Sequence, residues 1–336
     1  MGIQAFAAFE ARQELHSHSY EPDPLGPRDA EIEVSHCGVC HTDISLIDDQ
    51  FFGLSSYPLV PGHEVVGKIV ARGADVSNFE VGDRVGAGWL CGSCGECEAC
   101  RSGEPNLCPG AQGICAGRPG GFAERVRVDS RFLAAIPAGL ESEQAAPLMC
   151  AGLTVFTPLD ELAVQPGTRI GVVGIGGLGH LALQFAKAFG CEVTALSGSP
   201  TKSEEAARLG ADHFALTSDA EAVQRLASSF DVLLVTADGD LPWNLYLSLL
   251  RPKGTLWLLG MPQQPLAVES ILLMLPSRSI KGSIIGSPDQ MQRMLEFAAK
   301  HGVRAWTEPM PMSDVNTAID RVRKGEVRYR MVLTAG

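Results

Sequence analysis

The chain has 336 residues, 45 % apolar and 20 % charged, the balance of a globular protein of about two domains. Its 27 Lys and Arg against 39 Asp and Glu give a net charge of −12, which argues against nucleic acid as the main partner. Ten cysteines are too few for a disulfide scaffold, yet four crowd between Cys94 and Cys108.

The first residues, Met1 to Leu15, lack the basic start and apolar run of a signal peptide. No apolar stretch reaches the roughly 18 residues of a membrane span. The expectation is a soluble, cytoplasmic protein with no membrane partner. In such a reducing compartment, clustered cysteines bind metal more often than they pair.

Short β-like runs come first, at Glu31–Ser35, Val65–Ala71 and Ala123–Val128. Turn signals at Pro61-Gly62, Gly82-Asp83 and Gly120-Gly121 separate them, which predicts a mostly β domain over residues 1–150. From Arg169 the pattern changes. Arg169–Val173 reads as a strand, Gly174–Gly179 as a turn, His180–Phe189 as a helix stopped by Gly190, and Glu192–Leu196 as the next strand. Further strands are predicted at Asp231–Val235 and Thr255–Leu259. Strands alternating with helices imply an α/β domain with a parallel sheet, spanning 151–285. A helix (Asp289–Lys300) and a β-like run (Tyr329–Leu333) follow.

Three patterns carry chemistry. Cys94, Cys97, Cys100 and Cys108 are spaced C-x2-C-x2-C-x7-C on a turn-rich loop without an apolar face. Four thiolates there can close a tetrahedral shell around Zn²⁺ with no open position. Cys91 lies three residues earlier and could compete, but it would make five ligands. Cys40, His63 and Cys150 are each weak signals taken alone. Together they could form a Cys2His set, which leaves a fourth zinc position open.

The third pattern is Gly174-Ile175-Gly176-Gly177-Leu178-Gly179, a G-x-G-x-x-G match between a strand and a helix. Its glycines let the backbone approach a pyrophosphate at the helix N-terminus. No acid occurs from Val193 through Ser203, where an NAD site would hold the ribose 2′-hydroxyl. Ser197, Ser199 and Lys202 suit a 2′-phosphate instead, which predicts NADP(H).

With these motifs in order, the chain resembles the zinc-dependent medium-chain alcohol dehydrogenases, nearest their cinnamyl alcohol dehydrogenase-like branch. The resemblance runs through Cys40-His41-Thr42-Asp43, Pro61-Gly62-His63-Glu64, the four-cysteine loop, Cys150-Ala151-Gly152-Leu153-Thr154, the Gly-rich turn and Lys324–Arg330. It implies a GroES-like, mostly β catalytic domain (1–150, with 286–336 returning to it) and a Rossmann doubly wound parallel sheet domain. It implies two Zn²⁺ per chain, one held by Cys40, His63 and Cys150 in the cleft between domains. Asp43 would orient His63, and Glu64 would stand behind the metal. Thr42 would accept the substrate proton, and His41 and Arg330 would contact the pyrophosphate. Thr154 would lie against the nicotinamide, while Trp89 narrows the substrate site.

Two departures from the family bear on function. Ser45 stands where many relatives have a histidine, so the proton relay would end through water or the cofactor ribose. The stretch Pro109–Gly120 is shorter than in cinnamyl-type enzymes, so aromatic specificity does not carry over. Cys37, Cys91, Cys115 and Cys191 are expected to be free thiols. The resemblance therefore implies an NADP-linked dehydrogenase or reductase acting on a small primary alcohol or aldehyde, as a homodimer or homotetramer. The alternatives are a polyol-type zinc dehydrogenase and a zinc- or thiol-binding protein without catalysis.

Overall fold

The computed structural model describes residues 2–262 and 264–335. The chain divides into two compact units, Met1–Cys150 with Ile285–Gly336, and Ala151–Ile284.

In the first unit, Asp29–Val39 is the central strand. Ala30, Ile32 and Val34 alternate inward along it, which is the period of a half-buried strand. The neighbouring order is Thr307–Pro311, Arg330–Thr334, Asp29–Val39, Glu64–Arg72, Arg84–Ala87 and Leu133–Ala135, with Arg125–Asp129 also on Asp29–Val39. All pairings are antiparallel except Thr307–Pro311 with Arg330–Thr334. The predicted strand Glu31–Ser35 is thus longer at both ends. His36 to Gly38 are held by Glu64–Arg72 on one side and by Arg330–Thr334 on the other. The core beneath includes Ile32, Leu46, Ile69, Ile114, Phe122 and Leu333. Buried Glu31 is balanced by Arg125 at 3.0 Å and Arg127 at 2.5 Å.

The second unit holds six parallel strands in the order His213–Leu216, Glu192–Ser197, Arg169–Val173, Phe230–Val235, Leu250–Leu258 and Ser279–Gly282. Strand order reverses at Arg169–Val173, the arrangement of a doubly wound sheet, whose ligands bind beyond the carboxyl ends at that reversal. The Gly-rich turn leaves the sheet there. Its helix runs Gly179–Ala188, one residue earlier than the sequence pattern suggested. No described helix is long and apolar enough to cross a membrane.

Candidate active site

The strand Asp29–Val39 runs into the helix His41–Ile47, and Cys40 caps that helix. Asp43, in the first turn, is fully buried, so its carboxylate needs donors. It has three. The Cys40 amide donates to Oδ2 at 3.0 Å, and the Gly62 amide and His63 Nδ1 reach Oδ1 at 2.9 and 2.8 Å. With Nδ1 protonated toward Asp43, His63 Nε2 is a lone-pair donor. That atom is buried and has no hydrogen-bond partner, a costly arrangement unless a cation takes the lone pair.

Cys150 follows the short 3₁₀ turn Ala146–Met149 and completes the cluster. The ligand atoms of Cys40, His63, Glu64 and Cys150 lie within 4.8 Å of one another. Hydrogen bonding from Cys150 holds the Cys40 thiol well below its usual range, and the same contact pushes Cys150 well above its own. Two soft sulfurs and an oriented imidazole fit Zn²⁺.

Glu64 is buried beside this set. Its Oε1 accepts from the Arg330 Nη2, while its Oε2 has no partner. Burial raises the Glu64 carboxyl to about 7, against the pull of Arg330. There is room for Glu64 only because residue 38 is glycine, since a Cβ there would meet Oε2 at 1.9 Å. Arg330, expected from the resemblance at the pyrophosphate, is buried on Glu64. Thr42 and Ser45 lie three apart on the helix, hence on one face, and His41 is exposed at its start.

Trp89 stands edge-on to His63, with ring centroids 5.7 Å apart, and edge-on to Phe51 at 5.5 Å. Phe51 in turn meets exposed Phe52 at 5.0 Å. Phe51 and Phe52 carry no motif that marked them beforehand. Cys115 was also unremarkable in sequence beyond being a free thiol. It is buried, with a left-handed backbone (φ 59°), and its sulfur lies 3.9 Å from Asp43 Oδ1.

The four-cysteine loop closes on itself. Cys94, Cys97, Cys100 and Cys108 bring their sulfurs within 4.8 Å. Cys94 is 3.4 Å from Cys108 and 3.9 Å from Cys100. Backbone amides of Glu96 and Cys97 lower the Cys94 thiol to about 6. Cys91 stands apart, donating to the Gln112 carbonyl at 3.3 Å and facing Arg118 at 3.6 Å. No buried residue lies in Glu98–Arg101 or Pro105–Leu107, so the lobe has little core of its own. A metal would supply the missing cohesion.

In the second unit, Gly174, Gly176, Gly177, Leu178 and Gly179 form the turn after Arg169–Val173. Only glycine fits at 179, because a Cβ would meet the Gly174 carbonyl oxygen at 2.0 Å. No side chain caps the helix that starts at Gly179; its His180 and Leu181 amides donate to the Gly176 and Leu178 carbonyls at 3.0 and 3.1 Å, so an anion would meet the amides of the turn before them. Ser197 Oγ accepts from the Ser199 amide at 3.2 Å, and Lys202 Nζ returns to the Ile175 carbonyl at 2.5 Å. The turn and the hydroxyl-lysine stretch therefore converge, which fits a dinucleotide with a 2′-phosphate. Thr154 Oγ1 donates to the Ile284 carbonyl at 3.3 Å.

Comparison with known proteins agrees with this chemistry. Residues 26–138 match the alcohol dehydrogenase GroES-like domain, and residues 177–300 match the zinc-binding dehydrogenase domain. The chain belongs to the zinc-dependent medium-chain alcohol dehydrogenases, in their cinnamyl alcohol dehydrogenase-like branch. Within that family it is 43 % identical to the aldehyde reductase AdhA of Synechocystis over 99 % of this chain and 98 % of that one. A cinnamyl alcohol dehydrogenase structure from Sorghum bicolor superimposes with a TM-score of 0.95 at 39 % identity, covering 99 % and 98 % of the two chains. The Helicobacter pylori enzyme complexed with NADP(H) gives 0.90 at 28 % identity, covering 99 % and 98 %.

Proposed function

We propose that this protein is a zinc-dependent, NADP-linked aldehyde reductase and alcohol dehydrogenase that interconverts a primary alcohol and its aldehyde. The observation that carries the reading is the buried Cys40–His63–Cys150 set, with Asp43 on one side of the imidazole and the unpartnered Nε2 on the other. Zn²⁺ held by those three residues would supply Lewis acidity toward a substrate oxygen, and the dinucleotide would supply or accept the hydride.

The chain's own residues do the rest. Asp43 keeps the His63 proton on Nδ1 and fixes the ring plane. Thr42 Oγ exchanges the substrate hydroxyl proton. Ser45, on the same face, is no base near neutral pH and would relay a proton rather than hold it. Arg330 holds Glu64 beside the zinc residues. Trp89 and Phe51 form an apolar wall beside His63, where a hydrocarbon group excludes water. Ser197, Ser199 and Lys202 would hold the 2′-phosphate, and the Gly-rich turn leading into the helix at Gly179 would hold the pyrophosphate. The NADP(H) complex of the Helicobacter pylori relative supports this choice of cofactor.

Two coarser features complete the proposal. The edge strand Ser279–Gly282 is paired on one side, and Ile271, Met274, Leu275 and Ile284 beside it are largely exposed, Leu275 by 82 %. Such an edge is covered by a second copy, which makes the protein a homodimer or a dimer of dimers. None of the ten cysteines is in a disulfide, and thiolate metal sites persist in a reducing cytoplasm. A panel of aliphatic, allylic and aromatic aldehydes with NADPH and NADH tests the central reading. Turnover with NADPH and about two Zn²⁺ per chain are expected. No turnover with any aldehyde, or one ion or none, refutes it.

A further inference from the structure

We propose that Arg131 is the countercharge of the four-thiolate lobe, a positioning residue that keeps the lobe closed around its metal. The inference rests on the reading of Cys94, Cys97, Cys100 and Cys108 as a zinc site.

The lobe is strongly anionic. Between Ser93 and Gly110 it contains Glu96, Glu98 and Glu104 against the single cation Arg101. Four thiolates around one Zn²⁺ add a further two negative charges. Nothing apolar inside the lobe offsets that repulsion, because neither of its helical turns has a buried residue.

Arg131 comes from outside the lobe, just after the strand Arg125–Asp129. Asp129 grips one side of its guanidinium. Nε lies 3.0 Å from Oδ1 and Nη2 lies 2.7 Å from Oδ2, while the Arg131 amide donates to the same carboxylate at 3.0 Å. The Phe132 ring lies 5.6 Å from its Cζ. These contacts fix the fork and leave Nη1 turned away from Asp129. Nη1 comes within 3.4 Å of where a Cβ on Gly95 would be. Gly95 follows Cys94, and its amide is one of the donors to the Cys100 sulfur. The cation therefore stands against the loop that carries two of the four thiolates. The Asp129 hydrogen bond, with the negative charge of Cys100 adding to it, raises the Arg131 pKa above its usual value. A cation that touches the loop carrying the thiolates, orienting and neutralising them, is worth a measurable part of metal retention.

The experiment compares the purified zinc-loaded protein with Arg131→Gln and Arg131→Lys. Metal content is measured first, and two ions in the parent establish the site itself. Zinc transfer to a chromogenic chelator is then timed. In parallel, trypsin cleavage after exposed Arg101 reports opening of this lobe alone. Arg131→Gln should release the lobe zinc about tenfold faster, the lower end of what outer partners contribute, and Arg101 should be cut correspondingly faster. Arg131→Lys should restore most of the difference. Added NaCl should speed loss in the parent more than in Arg131→Gln, because Arg131 is 41 % exposed and its field is screened. Equal release and cleavage in the parent and Arg131→Gln would overturn the proposal. So would a lysine variant as leaky as glutamine, since shape rather than charge would then be responsible. If the glutamine variant does not fold, the lysine variant and the salt dependence of the parent still decide. A parent protein without zinc in the lobe would instead overturn the reading of the site.

Discussion

Asp43→Asn is the most searching single change in the site. The substitution keeps the shape and removes one acceptor and one charge. The amide oxygen can still serve Gly62 and His63, now at 2.9 and 2.8 Å. The new NH2 then faces the Cys40 amide, which at present donates to Oδ2 at 3.0 Å. Two N–H groups meet in a fully buried place, and neither has another acceptor within the pairings described. Leaving a buried donor unmade costs about 1–3 kcal/mol, and loss of charge assistance on the other two bonds adds about 1 kcal/mol more. A total of about 2–4 kcal/mol corresponds to a drop in Tm of about 5–15 °C in a unit of this size. The same loss loosens His63, and outer partners of a ligating histidine are worth about 10- to 100-fold in metal affinity or activity. Thermal melting, zinc content and reductase rate on one preparation check all three. A variant with the parent's Tm, two tightly held ions and unchanged rate would refute the role assigned to Asp43.

Other changes separate the two metal sites and the cofactor site. Cys40→Ala should abolish turnover while leaving the melting curve near that of the parent, read by enzyme assay and circular dichroism. Cys97→Ser should lower metal content from about two ions to about one and destabilise the lobe, because the metal is its main cohesion. Unchanged melting and proteolysis would contradict a structural site. Lys202→Ala should weaken NADPH by about tenfold or more, the worth of a charge-assisted phosphate contact, with little effect on NADH. Phe122→Ala should cost about 3–5 kcal/mol by cavity formation, read as a lowered denaturation midpoint, because Phe122 is fully buried against the turn at Gly62.

The parts of this molecule that were legible in sequence are those whose chemistry is local. The Gly-rich turn could be read because steric demand at Gly179 comes from Gly174, five residues away. The four-cysteine lobe could be read because its ligands span one loop. Cys40, His63 and Cys150 could be grouped as a possible Cys2His set from residue type, but only the family resemblance implied that they meet, since their approach depends on three elements far apart in sequence. Phe51, Cys115 and Arg131 were missed for the same reason. Each acts on a neighbour placed by the path of another loop, and none sits in a distinctive local pattern. The strand Thr307–Pro311 was missed because Pro309 and Pro311 argue against a strand. It lies at the sheet edge, where a missing amide is tolerated.

The pairing of Arg330–Thr334 with Asp29–Val39 has a consequence for synthesis of the chain. Glu64 meets its cation only 266 residues later, and at ordinary translation speeds that is a wait on the order of tens of seconds. During this interval Ala151–Ile284 emerges whole and has every strand of its own sheet. The zinc-holding unit has neither Arg330 nor two strands of its sheet. The nucleotide-binding unit can therefore finish first on the ribosome, as an insertion folded ahead of its host. The half-built sheet meanwhile exposes the Asp29–Val39 edge to other nascent chains. Efficient production of this enzyme then depends on how that waiting edge is shielded, a burden on chaperones that the finished fold no longer displays.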